Sequence, residues 1–130
     1  MKRWMTVGAV AGALLALTGC VGAPGAFDAA RRTADELPAA ATHNISEGDP
    51  SSSRYQGKAG DRDFHLLRGT GTSRFCLVYT DGTEEGSGWT CSGGSWVKAS
   101  IANGAEYEVH IDGFPDDLGP GEEQVSPWVR

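Results

Sequence analysis

Apolar and polar residues alternate along Glu106–Asp112: Tyr107, Val109 and Ile111 share one parity, and Glu106, Glu108, His110 and Asp112 share the other. A period of two predicts a strand with one dry face and one wet face. In Arg74–Thr80 both parities are apolar, with Phe75, Leu77 and Tyr79 opposite Cys76 and Val78. Such a strand belongs in the middle of a sheet, covered on both sides. Further short β-type runs are Arg54–Gln56, Asp63–Arg68, Gly88–Ser92 and Ser95–Ile101, with Gly- and Asp-containing stretches between them. Asp81-Gly82 and Asn103-Gly104 carry hairpin turn signals, which join consecutive runs as antiparallel neighbours. The expected fold is mainly β, a small antiparallel meander sheet of about five to six strands. In the Pro-containing tail after Gly113, Phe114 and Trp128 are expected to tuck back onto the sheet.

The pattern changes upstream. From Val21 to Ser53 the chain is rich in Ala, Gly, Pro, Ser and charge, and reads as a tether with a root-mean-square reach of about 30 Å. Within it, Phe27, Ala30, Ala34 and Leu37 recur at helical spacing before Pro38. They predict one short N-terminal helix over Phe27–Leu37, lying on the domain or frayed.

The first residues are of another kind. Lys2 and Arg3 precede an uncharged apolar run, Met5–Leu17, which is the layout of an export signal. Leu17-Thr18-Gly19-Cys20 follows directly and resembles the lipobox of bacterial lipoproteins. The resemblance implies that residues 1–19 are a signal peptide and that Cys20 is the attachment point of a diacylglycerol and an N-acyl lipid. It also implies that the chain is exported and held on the outer face of the cytoplasmic or another envelope membrane. Only a thiol among these side chains is an easily alkylated nucleophile, and acyl chains bury about 0.8 kcal/mol of apolar surface per methylene. The alternatives are simple secretion and a spanning anchor, since Trp4 to Phe27 carries no charge and a span needs about 20 residues. Pro24 and the five glycines from Gly8 to Gly25 weaken that reading.

The expected organisation is therefore a signal peptide (1–19), a lipidated tether (20–53) and a small β domain (54–130). The whole is similar to small uncharacterised lipoproteins of high-GC Gram-positive bacteria. The likeness is carried by Ala34-Asp-Glu-Leu-Pro38, Phe75-Cys-Leu-Val-Tyr79 and Gly88-Trp-Thr-Cys91, and it implies no activity.

With Cys20 assigned to lipid, the three cysteines leave one pair, Cys76 and Cys91. Outside the cytoplasm that pair reads as a disulfide, whose loop of about 15 residues is worth about 3 kcal/mol in the chain-entropy model. A free thiol pair is the plainer alternative. Charge narrows the partners. Without Lys2 and Arg3 the chain holds 9 basic and 17 acidic residues, a net charge of −8. That argues against nucleic acid and against polybasic attachment to anionic lipid.

Motif chemistry is sparse. No Gly-x-Ser-x-Gly, His-Glu-x-x-His, phosphate loop or Gly-x-Gly-x-x-Gly occurs in the chain. His65 and His110 could meet on the polar face of one sheet and, with Asp63 or Asp112, form a metal or acid–base site of a small hydrolase. Exposed strand histidines without a role are the commoner case. The acidic stretches Asp81–Glu85 and Asp112–Asp117 lack calcium-loop spacing, and no metal or other cofactor is expected. Trp89 and Trp96 flank Cys91-Ser-Gly-Gly94, and Trp96 has the parity opposite to Val97, Ala99 and Ile101. The two tryptophans are either a contact surface or a lid over the disulfide. The sequence thus favours a monomeric, non-enzymatic envelope lipoprotein that contacts another envelope protein or cell-wall material.

Overall fold

The computed structural model describes residues 25–101 and 104–130. Cys20 and the whole signal segment lie outside the described residues. Four antiparallel strands form the main sheet in chain order: β1 (Gly48–Ala59), β2 (Arg62–Gly69), β3 (Phe75–Thr80) and β4 (Gly88–Ser92). A second, two-stranded antiparallel sheet pairs β5 (Trp96–Ser100) with β6 (Glu106–His110). The fold is mainly β with six antiparallel strands, as the alternation predicts. It is divided between two sheets, however, where a single meander was expected.

Register explains the division. Phe64 stands opposite Tyr79, Leu66 opposite Leu77 and Arg68 opposite Phe75, which puts these apolar side chains on one face of the main sheet. Leu67 opposite Cys76 and His65 opposite Val78 form the other face. A sheet apolar on both faces needs two covers. The first cover is the β5–β6 sheet, whose Ala99, Ile101, Val109 and Ile111 join Val129 in one core with Phe64, Leu66, Phe75 and Leu77. Had β5 continued the meander beside β4, that face would be open to water. The C-terminal residues widen the cover: Glu108 and Arg130 exchange backbone hydrogen bonds of 2.7 and 3.0 Å, and Val109 bridges Val129. Phe64, Leu66, Phe75, Leu77, Val109 and Val129 are fully buried, each contributing about 1.5–3 kcal/mol of apolar burial.

The second cover is the N-terminal segment, which corrects two expectations. No helix runs over Phe27–Leu37. A turn at Gly25–Asp28 and a 3-10 turn at Thr33–Asp35 are followed by a one-turn helix, α1 (Ala39–Thr42), which starts after Pro38 instead of ending before it. Asp35 supplies the reason. It is buried, and its carboxylate accepts the backbone N–H groups of Arg32 (2.7 Å) and Tyr55 (2.8 Å). Burial alone would raise the Asp35 pKa, yet these two N–H bonds, with Arg32 and Arg54 nearby, hold it below the ordinary carboxylate value. The polar anchor fixes the segment against β1, whereas a stripe of alanines offers a helix little area to bury.

Residues 25–53 are accordingly part of the fold and not a free tether. Leu37, Ala41 and Ile45 pack over Leu67, Cys76 and Val78, Ser53 is fully buried with its hydroxyl on the Asp35 carbonyl, and β1 begins at Gly48 instead of Arg54. β1 also carries register shifts, one of them between Tyr55 and Gly57. Gly57 has φ +134°, and a Cβ there would meet the Val125 carbonyl at 3.0 Å, so glycine lets the C-terminal segment close on the bulge.

The Asp81-Gly82 signal falls on the β3–β4 connection, where Asp81 Oδ1 accepts the Thr83 N–H (2.9 Å) and Gly82 has φ +92°. Gly104 has φ +87° in the β5–β6 connection. Its neighbour Asn103 is outside the described residues.

Candidate functional site: an aromatic ledge on the outer sheet

The β5–β6 pairing sets Trp96 opposite His110, Lys98 opposite Glu108 and Ser100 opposite Glu106. All six have the parity opposite to the core residues Val97, Ala99 and Val109, so they occupy the outer face. Trp96 is 54% exposed. Its indole lies nearly parallel to the His110 imidazole, with ring centroids 6.1 Å apart and planes inclined by 19°. The indole is thus flanked by a nearly parallel imidazole and is more than half open to solvent.

The stack continues. Phe114 sits 4.6 Å from the His110 ring, and the Arg130 guanidinium lies 4.0 Å above the Phe114 ring, a cation–π geometry. His110 Nε2 donates to Glu108 Oε1 at 2.7 Å, because a carboxylate can only accept. Arg130 in turn donates to Asp116 Oδ1 (2.8 Å). On the backbone side, Ser92 Oγ donates to the Trp96 carbonyl (3.0 Å) and the Ile111 N–H to the Ser95 carbonyl (2.9 Å). These bonds hold the start of β5, where Trp96 stands. Beside it, Lys98, Glu106, Glu108, Glu122, Glu123 and Arg130 line a polar groove of about 450 Å³.

Trp89 behaves differently. It lies opposite Val78 on the inner side of β4, half-buried, against the cluster formed by Leu67, Cys76 and Val78 with Leu37, Ile45 and Cys91. It lids the disulfide region, whereas Trp96 faces outward. The two tryptophans do not form one surface. Cys76 and Cys91 are bonded, directly opposite each other in the β3–β4 register.

His65 and His110 are not brought together. His110 belongs to the outer sheet, while His65 is only 3% exposed on the main sheet, beneath the N-terminal cover and 5.3 Å from the Tyr55 ring. Neither of its ring nitrogens completes a hydrogen bond of normal geometry. Burial lowers the His65 pKa; the Ala34 backbone and the Asp63 and Asp35 carboxylates oppose the shift without cancelling it. A shared His65–His110 acid–base site has no geometric basis. Asp63 accepts the Tyr55 hydroxyl (3.0 Å), and Asp112 is paired with Arg74 (2.7 Å). Among the described residues no three His, Cys, Asp or Glu side chains converge as metal ligands.

Phe114 and Arg130 were not anticipated as site residues. Parity alone could have grouped Trp96, Glu108 and His110, but Arg130 reaches the ledge only because the tail pairs with β6. No family model, curated protein or solved structure matches this chain.

Proposed function

We propose that this chain is an exported lipoprotein, anchored through lipid on Cys20, whose β domain is a non-enzymatic binding module. Its contact point with envelope protein or cell-wall material is the Trp96 ledge. The observation that carries the binding reading is an indole more than half exposed beside a nearly parallel imidazole. Exposed aromatic anchors of this kind concentrate binding energy at interfaces. The lipobox residues support the anchoring. A photo-reactive amino acid at Ser95, next to the ledge, tests the binding reading in cells. An adduct that forms in the wild type and disappears with Trp96→Ala is expected; an adduct pattern indifferent to Trp96→Ala removes the ledge as the contact.

A further inference from the structure

We infer, building on that reading, that the Trp96 ledge takes an uncharged pyranose ring, with the C–H face of the sugar on the exposed indole and its hydroxyls on the Glu108 and Lys98 side chains. Three observations point this way. The first is size. Trp96 and Leu118 are the only large hydrophobic side chains well exposed among the described residues. A stable protein interface buries about 1,200–2,000 Å² around an apolar centre, which one indole face does not supply. A sugar ring has one apolar face of about that extent.

The second is the rim. Polar groups with hydrogen-bonding capacity flank the indole in register: His110 opposite Trp96, and Lys98 opposite Glu108 one pair further along the same face. That places donors and acceptors beside the indole, where the equatorial hydroxyls of a stacked ring project. An apolar ligand would take these groups out of water without offering them hydrogen bonds.

The third is charge. Glu108 holds His110, Asp112 holds Arg74 and Asp116 holds Arg130, while Glu106, Glu122 and Glu123 line the adjoining groove. Carboxylates therefore outnumber cations around the site, and the chain as a whole is acidic, with 17 Asp and Glu against 11 Lys and Arg. An anionic polymer is repelled. A neutral glycan meets no such penalty.

The test is a titration of the full chain in detergent micelles with the trimers of N-acetylglucosamine, glucose and mannose, and with trigalacturonate as the anionic counterpart. Binding is followed by the indole N–H resonances. At least one neutral trimer is expected to move the Trp96 resonance and leave that of Trp89 in place, with affinity falling at least tenfold in Trp96→Ala and recovering in part in Trp96→Phe. Trigalacturonate should bind at least tenfold more weakly than the best neutral trimer. Retention of the chain by purified wall sacculi or by glycolipid vesicles then tells which source presents the ring. Failure of all three neutral trimers, or equal binding of the uronate, overturns the glycan assignment. If the Ser95 adduct still depends on Trp96 in that event, the ledge remains a contact for another ligand; if it does not, the binding reading falls as well.

Discussion

Cys76 and Cys91 face each other across β3 and β4 with their Cα atoms 4.0 Å apart. The bond therefore closes a β-hairpin between residues that the register already makes neighbours, and it does so on the face covered by the N-terminal segment. Holding a 15-residue separation closed is worth about 3 kcal/mol in the chain-entropy model. The double variant Cys76→Ala, Cys91→Ala should lose about that much stability, with unchanged strand content, in urea unfolding monitored by circular dichroism. Equal midpoints for the oxidised and reduced wild type would show that the bond contributes nothing.

The two tryptophans should separate cleanly under the same measurement. Trp89 packs against the cluster of Ala41, Leu67, Cys76 and Val78, so Trp89→Ala is expected to cost about 2–3 kcal/mol, less than a fully buried aromatic truncation because the ring is half-buried. Trp96→Ala removes a surface stack worth about 1 kcal/mol. If Trp96→Ala proved as damaging as Trp89→Ala, the ledge would be structural and its exposure incidental.

His65 gives the fold a pH dependence whose sign follows from its burial. Its folded pKa lies below the ordinary 6.5, so on acidification the unfolded chain takes up this proton first. The stability associated with a neutral, buried His65 is complete above about pH 6.5 and declines as the pH falls towards the lower folded value. His65→Leu fills a similar space without a titrating group and should flatten the decline between pH 7 and pH 5. Parallel stability curves for variant and wild type would exclude His65 as the cause.

For the anchor, labelled palmitate should enter the wild-type chain, and Cys20→Ala should abolish both labelling and proteolytic maturation. A mutant that stays in the membrane fraction at unchanged size would point to the spanning alternative.

Much of the fold was legible because it rests on local alternation. The run from Phe75 to Tyr79, apolar at both parities, announced a strand covered twice, and it is the third strand of a doubly covered sheet. What covers it was not legible. The stripe Phe27, Ala30, Ala34, Leu37 satisfies helical spacing, but Asp35 within it becomes a buried acceptor for a backbone N–H twenty residues away, and no periodicity records such a bond. The break between β4 and β5 was hidden for a similar reason: Gly93 and Gly94 fit either a tight hairpin or a change of sheet, and the burial demands of the opposite face decide between them. At the candidate site, parity placed Trp96 outside its own core. The same test could not separate Trp89, whose strand has no clear apolar side: all five β4 residues are partly exposed.

The packing of the chain from Gly25 onward also sets the geometry of attachment. Only four residues lie between Cys20 and Gly25, and the five peptide steps joining them reach at most about 18 Å. Gly25 lines the same cleft as Ile111 and Asp112, at the end of β6 from which His110 and Phe114 build the ledge. If Cys20 carries the lipid, as proposed, the domain is on a short leash attached at the end that bears the Trp96 ledge. Such a leash would hold it nearer the headgroups than a 30 Å tether. Its search for a ligand is then confined to a thin layer beside the bilayer, where encounters are governed by sideways diffusion in two dimensions.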